Sequence, residues 1–268
     1  MKLTAHIESV GLYAPGLEGW RDSCDVLAGT VDYTPSPLTK YKPILLPTNE
    51  RRRATSSVRT AFGACEDAIG ERIEEAAHLA AVFASSGGDY GIHDQICRGL
   101  LREDIAVSPT HFHNSVHNAA AGYWSIATAS RAPSVSLSAY DYTVATGFLE
   151  ALPLICLENL STLLVLADCA VVGPMHRKRP VDSSFACALW LTPGATENSI
   201  AQILIELDVG EKEETPCKNS ALETLRQNNP SARVLPLLEL VAAGDSGSVT
   251  LSTSSDQPVR ISVKPTST

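Results

Sequence analysis

The sequence has few basic residues and no long apolar segment. Its 268 residues include 21 Lys and Arg against 30 Asp and Glu, a net charge of −9. Nucleic acids and anionic membrane surfaces are bound through basic surfaces, so this balance argues against both as partners. No run reaches the roughly 18 apolar residues of a membrane span, and the N-terminus has no long apolar stretch. We therefore expect a cytoplasmic protein with no signal peptide and no membrane span.

Several motifs that mark catalytic or ligand sites are also missing. The seven cysteines are scattered, with no Cys-x-x-Cys and no Cys/His ligand spacing, so we expect reduced, mostly buried thiols. His111, His113 and His117 are close in sequence, but no carboxylate or Cys stands at ligand spacing. There is no Gly-x-Gly-x-x-Gly and no Gly-x-Ser-x-Gly. The sequence therefore predicts no metal, no cofactor, no dinucleotide site and no serine hydrolase.

Strand-like and helical segments alternate through the first two thirds of the chain. Apolar residues at helical spacing predict helices within 49–71 and 113–130, and apolar runs predict strands at 133–140, 161–168 and 185–193. Hydrophobic residues make up 44% of the chain, enough for a substantial core. This alternation predicts an α/β layered sandwich.

The last 70 residues follow a different pattern. A strand is predicted at 201–209, a polar loop at 211–220 and a short helix at 234–244. The segments 247–255 and 259–264 alternate in polarity and predict a hairpin. We expect a small β-rich extension rather than a second α/β unit.

The segment PSVSLSAYDYTVATG, residues 133–147, predicts a strand that turns directly into a helix. Such corners hold the nucleophile in many α/β enzymes. The corner residues here are Tyr140, Asp141 and Tyr142, so no Ser or Cys stands in position to attack a substrate.

The surrounding residues resemble the N-terminal half of the β-ketoacyl-(acyl carrier protein) synthases, which have the thiolase fold. The anchors are Ser108, Pro109, Asn118, Gly122 and Pro133, all at the spacing of that family, and VFASSGGD, VLADCAV and KRPVD resemble further family segments. The resemblance covers about residues 1–195. It implies a thiolase-like layered sandwich limited to the N-terminal half, with residues 196–268 forming a short C-terminal extension that packs on the same domain.

The departures from the family pattern concern catalysis. An ungapped count from Pro133 places Asp141 where the family carries its nucleophilic Cys, and a shift of one residue places Tyr140 there. Neither residue forms an acyl thioester, and the last histidine of the chain is His176, whereas the family draws two His from its C-terminal half. The resemblance therefore implies no catalytic residue here. We expect Asp141 to cap the following helix, with a catalytic carboxylate as the alternative.

Within the family, the resemblance points to the chain-length factors, inactive partners of an active ketosynthase, as in aryl polyene biosynthesis. It implies that the chain completes a heterodimer or larger hetero-oligomer and shapes the acyl tunnel during polyene or fatty-acyl elongation. The implied tunnel-gating and interface residues are His111, Phe112, His113, Ser115, Asn118, Ser134, Val135, Ser136, Leu137, Ser138 and Tyr140.

A transient contact with an acyl carrier protein is also implied. The segment 175–180, which is rich in basic residues, is either a docking patch for that protein or simply a solvated loop. Two other functions stay open. The chain could be a stand-alone acyl-transfer or hydrolytic enzyme that uses Asp141 or a His, or a purely structural stabiliser of the ketosynthase.

Overall fold

The longest strand of the protein, β1 (Lys2–Ala14), lies inside a mixed sheet and is paired along both edges. The computed structural model describes residues 2–103, 107–207, 213–255 and 257–266. On one side β1 pairs antiparallel with Phe185–Thr192, and on the other with Ala201–Leu207. Most of its side chains are buried, because helices cover both faces of the sheet.

In the described residues the sheet has nine strands, in the order β4-β3-β5-β6-β1-β7-β9-β8, with β2 paired to β1. The strands after β1 are β2 (Leu17–Glu18), β3 (Ala80–Ala84), β4 (Ser134–Leu137), β5 (Thr162–Asp168), β6 (Phe185–Thr192), β7 (Ala201–Leu207), β8 (Gly247–Leu251) and β9 (Val259–Pro265). The strands β4 and β5 run parallel to β3, and the other pairs are antiparallel. The strand β4 therefore forms one edge of the sheet.

Helices pack on both faces, which confirms the predicted α/β layered architecture. They are α1 (Trp20–Leu27), α2 (Thr48–Arg53), α3 (Ser56–Ile69), α4 (Ile73–Ala76), α5 (Tyr90–Leu100), α6 (Pro109–Asn114), α7 (Ala119–Thr128), α8 (Thr143–Cys156), α9 (Ser220–Asn228) and α10 (Leu235–Ala243). One core contains residues of α3 and α7, and the other contains residues of α8 and α10. None of the helices in the described part of the chain is long and apolar enough to cross a membrane.

Three parallel strands bring their carboxyl ends to the same edge of the molecule. The strand β5 is buried at every position, as expected for a strand covered on both faces. Its last residue, Asp168, lies beside the turn that follows β3, where it accepts a hydrogen bond from the Ser86 amide. Ser138, just after β4, is tied to the same turn, since its hydroxyl donates to the Ser86 carbonyl. The turns after β3, β4 and β5 are therefore adjacent.

Two predicted helices are shorter than expected. The helix predicted within 49–71 is divided into α2 and α3, because Ala54 is extended and the Thr55 side chain caps the Val58 amide. The helix predicted within 113–130 begins at Ala119, and His113 belongs to α6. The strand before the corner ends at Leu137, three residues earlier than predicted.

The C-terminal extension continues the sheet beyond β1. Strand β7 pairs with β1, β9 with β7, and β8 with β9, so the predicted hairpin forms. Part of the predicted loop 211–220 and the end of the predicted strand 201–209 lie outside the described residues. Helix α9 was not predicted, although Asn219 caps it and Leu222 and Leu225 bury one of its faces.

Candidate functional site

The corner after β4 is built on a strained residue. Tyr140 has φ 54°, a left-handed conformation that a bulky side chain rarely adopts and that costs about 1–3 kcal/mol. A short 3-10 turn, Tyr140–Tyr142, leads into α8. Of the two candidates for the nucleophile position, Tyr140 is the one with the strained backbone that enzymes often hold at such sites.

The prediction that Asp141 caps the helix is wrong. Its side chain makes no cap hydrogen bond, and its Oδ1 instead accepts from Nη1 of Arg179 at 2.6 Å. The Thr143 hydroxyl serves the turn, since it accepts from the Ala139 amide (3.2 Å) and donates to the Tyr140 carbonyl (2.7 Å). The largely buried Arg179 places a full positive charge next to the Asp141 carboxylate. This charge attracts the carboxylate more strongly than the free backbone amides of a helix start would.

Arg179 holds the two corner residues together. It is only 8% exposed, and its guanidinium carbon lies 3.7 Å from the ring centroid of Tyr140, a cation–π contact. Burial alone would lower the pKa of Arg179, but the hydrogen bond and charge of Asp141 raise it above its usual value. The guanidinium therefore stays charged, and the corner is filled by a Tyr–Arg–Asp cluster rather than by a reactive group.

A chain of ion pairs connects this cluster to the C-terminal extension. Arg233 lies 4.0 Å from Asp141 and 2.9 Å from Glu214, and Glu214 pairs with Arg226 at 2.8 Å. Arg226 also pairs with Glu223. The hydrogen bond from Arg226, with those from Cys217 and Gln227, lowers the pKa of Glu223 to about 2. The last quarter of the chain is thus anchored to the corner.

The floor of the corner is a buried carboxylate. Asp168 Oδ1 accepts from Ser85 and Ser86, and its Oδ2 accepts from Ser231. Burial raises the pKa of Asp168 although these donors act against the shift. Sequence reasoning missed this cluster, but an acidic residue at the end of an otherwise apolar strand is a signal that could have found it. The neighbouring Cys169 is no nucleophile at neutral pH, because desolvation raises its pKa to about 11.

The strand β4 exposes one edge of its backbone. The Pro133 carbonyl accepts from the Ala81 amide in β3, and the Leu137 carbonyl accepts from the Ser85 amide just after β3. The alternation of a strand therefore directs the backbone groups of Val135 to β3 as well. The backbone N–H and C=O groups of Ser134 and Ser136 therefore point away from the sheet. This edge has no strand partner among the described residues.

An open apolar groove lies on α6 and α7. It has a volume of about 490 Å³ and is lined by Pro109, Phe112, His113, Val116, Asn118, Ala119, Gly122, Tyr123 and Ile126. The Phe112 side chain is 69% exposed, and His113 contacts Tyr123 edge to face. A Cβ atom added to Gly122 would meet no atom within 4 Å, so another chain has room to approach this helix closely.

The remaining predicted site residues do not form one site but lie at different places around α6 and α7. Ser115 ends α6 and its hydroxyl donates to the Phe112 carbonyl, and Asn118 precedes α7. His111 lines a separate polar pocket with Asp89, and His117 lies against Gly88. In the part of the chain that the structure describes, no three His, Cys, Asp or Glu side chains form a metal-binding group. None of the seven cysteines forms a disulfide.

Comparison with known proteins gives a family and a set of similar folds. The family model "Beta-ketoacyl synthase, N-terminal domain" matches residues 29–252. Comparison with curated proteins gave no match.

Solved structures match over nearly the whole chain. A chain of the ketosynthase in complex with its chain length factor from Xenorhabdus doucetiae is 24% identical, with a TM-score of 0.70 over 97% of this chain and 99% of that one. A chain of the ishigamide ketosynthase/chain length factor is 12% identical, with a TM-score of 0.68 over 97% and 98%.

The third match is a chain from the structure of a complex between a type II polyketide synthase acyl-carrier protein and its ketosynthase. It is 12% identical, with a TM-score of 0.71 over 99% of this chain and 100% of that one. At these identities the three similarities establish the fold.

Proposed function

The chain belongs to the β-ketoacyl synthase N-terminal domain family, and from that membership we propose that it is a chain-length-factor-like subunit. In this role it is catalytically silent, pairs with an active ketosynthase and shapes the acyl tunnel during polyene or fatty-acyl elongation. The observation that carries the proposal is the corner itself. It keeps the strained geometry of a nucleophile site but fills it with Tyr140, Asp141 and Arg179.

Catalytic silence is supported by the state of the nearby groups. Asp141 is bound to Arg179, and the Cys169 thiol has a pKa raised to about 11. His176 pairs with Asp182 at 2.7 Å. Decarboxylative condensation requires a thiolate nucleophile and basic groups, which the partner would supply.

Pairing with a ketosynthase is supported by the free edge of β4. A strand edge with unpaired N–H and C=O groups is a ready template for another strand. No Pro or charged residue lies within Ser134–Leu137 to protect the edge. The partner's equivalent strand would pair here, with Ser134 and Ser136 providing the hydrogen-bonding groups.

Tunnel shaping is supported by the α6–α7 groove. Its volume of about 490 Å³ falls within the range of ligand sites, and its walls are mostly apolar. Phe112 extends into open space at the surface, where its volume would limit how much acyl chain fits. The groove is open on one subunit, so a closed tunnel would require the ketosynthase.

Contact with an acyl carrier protein is supported by a smaller surface. Val172, Met175, Arg177 and Lys178 are exposed next to each other, which suits an acidic, partly apolar helix. Arg179 does not belong to this patch, because it is buried against Asp141. The carrier-protein patch is therefore residues 172–178.

The test is reconstitution with an active ketosynthase from the same organism. We expect a stable complex and acyl elongation that depends on the chain. Ser136→Pro removes one outward N–H without breaking a bond to β3, so it should weaken the complex while the isolated chain still folds. Ser248→Pro, an exposed residue of the opposite edge strand β8, removes an N–H that also points away from the sheet, as the Thr250 N–H two residues later does, and serves as a matched control with an intact complex.

Each outcome decides between the candidate functions. A ketosynthase that elongates equally well alone would rule out both the chain-length and the stabiliser functions. Turnover of an acyl thioester by the isolated chain, lost in Asp141→Asn, would instead establish the stand-alone enzyme. If Phe112 substitutions leave product length unchanged while the complex is needed for solubility, only the stabiliser function survives.

A further inference from the structure

The segment that carries Phe112 contains a single buried residue. Within residues 107–118, all of which the structure describes, every residue is exposed or partly exposed except Asn114, which is 2% exposed. Phe112 and Val116 are both more than half exposed. Buried positions are ordinarily taken by apolar side chains, and Asn is mostly found at the surface. The buried position of this segment is therefore an exception that calls for a reason.

The Asn114 side chain connects the segment to the body of the protein. Its Nδ2 donates to the Arg53 carbonyl at 3.3 Å and to the Thr110 carbonyl at 2.9 Å. Its Oδ1 is buried with no hydrogen-bond partner among the described residues. A buried acceptor without a partner costs free energy, so Asn114 stabilises the segment through its Nδ2 donor.

The Arg53 carbonyl is a well-supported point of attachment. Arg53 ends α2, and the next carbonyl, that of Ala54, accepts from Nε of Arg59 at 3.0 Å. Thr55 then caps α3, which is packed in the core. The hydrogen bond from Asn114 therefore fixes the position of α6 relative to α3 and the core.

The same residue lies two positions from Phe112. Its bond to Thr110 spans Phe112 within the single turn of α6. The Phe112 amide donates to the Ser108 carbonyl at 3.0 Å, and the Phe112 carbonyl accepts from the Ser115 hydroxyl at 2.8 Å. Phe112 thus belongs to a hydrogen-bonded turn that Asn114 attaches to the protein. A change at Asn114 would let Phe112 move without removing its ring.

We propose that Asn114 is a positioning residue for the acyl tunnel, which holds Phe112 in the wall of the α6–α7 groove and so narrows the range of acyl chain lengths. This inference rests on the proposed function. A side chain limits what fits in a pocket only where its own supports keep it in place. Asn114 provides that support from inside the protein and does not line the groove.

Product length in the reconstituted complex tests the inference. Asn114→Ala removes the side-chain amide, and Asn114→Asp replaces the Nδ2 donor by an acceptor in a side chain of the same size. We expect both variants to bind the ketosynthase within about fivefold of the wild type, as measured by titration. The share of products longer than those of the wild type should rise about fivefold or more, as read by mass spectrometry.

The Phe112→Ala background shows whether Asn114 acts through Phe112. Without the ring, Asn114→Ala should change the length distribution less than it does in the wild type, because the side chain that it positions is already gone. The matched control is Asn219→Ala, which removes the cap of α9 in the C-terminal extension. It should also lower the thermal midpoint, yet leave product length unchanged.

The outcomes separate this inference from the proposed function. A wild-type complex whose product length does not respond to Phe112→Ala would contradict tunnel shaping itself. If Phe112→Ala lengthens the product while both Asn114 variants leave it unchanged, only this inference fails. It also fails if the two substitutions act independently, if Asn219→Ala lengthens the product as well, or if neither Asn114 variant forms the complex, because Asn114 would then support folding alone.

Discussion

The stability effect of replacing Asp141 distinguishes an ion pair with Arg179 from a helix cap. Removing one partner of a fully buried pair costs about 3–5 kcal/mol. The Asp141 side chain is 33% exposed, and Arg233 stands 4.0 Å away, so water and a second cation reduce the loss. We expect Asp141→Ala to lower the free energy of unfolding by about 2 kcal/mol, which corresponds to a fall of roughly 4–8 °C in the thermal midpoint.

The double-mutant cycle with Arg179→Met isolates the pair. If Asp141 acts through Arg179, Asp141→Ala should cost little in the Arg179→Met background, and the coupling energy should be about 1–2 kcal/mol. Urea denaturation of the four proteins measures it. A cap would cost about 1 kcal/mol in either background. A coupling energy below about 0.5 kcal/mol would therefore refute the ion-pair explanation and restore the cap.

Three further predictions concern the groove, the buried carboxylate and a helix start. Phe112→Ala should lengthen and Phe112→Trp shorten the acyl product of the reconstituted complex, as read by mass spectrometry, while Leu157→Ala, on an exposed residue after α8, should leave it unchanged. Burial raises the pKa of Asp168, so the folded wild type loses stability as the pH rises from about 3.8 through the raised pKa of the folded state. In urea denaturation between about pH 4 and 7, Asp168→Asn should lose less stability with rising pH than the wild type, and the same pH dependence in both proteins would contradict this prediction. Thr55→Ala should lower the free energy of unfolding by about 1 kcal/mol through loss of the cap on Val58, with Thr55→Ser close to wild type; an unchanged urea midpoint would argue against the cap.

The sequence predicted most of the fold because the strongest patterns are local. The apolar spacing of Val58, Phe62, Cys65 and Ile69 predicted the helix that became α3, and all four residues are buried. The break before it depends on the extended Ala54 and the cap by Thr55, which the apolar period does not reveal.

The corner could be located but not correctly explained from sequence. Asp141 was placed at a helix start, but its partner Arg179 lies 38 residues away and was assigned to an exposed basic patch. The positive φ of Tyr140 has no sequence signal, since Gly or Asn would ordinarily mark it. Helix α9, by contrast, has a local sequence signal, because Asn219 is a typical capping residue directly before it.

The place of β1 in the sheet determines the order in which the protein can assemble. Tyr13 pairs with Ala186 and Lys2 pairs with Glu206, so β1 is synthesised well before the two strands that it pairs with. Such long separations slow folding and leave apolar strands exposed during synthesis. A chain that ends before Ala201 would keep one edge of β1 open, and we expect it to aggregate. The C-terminal extension is in this sense the closing step of the whole sheet.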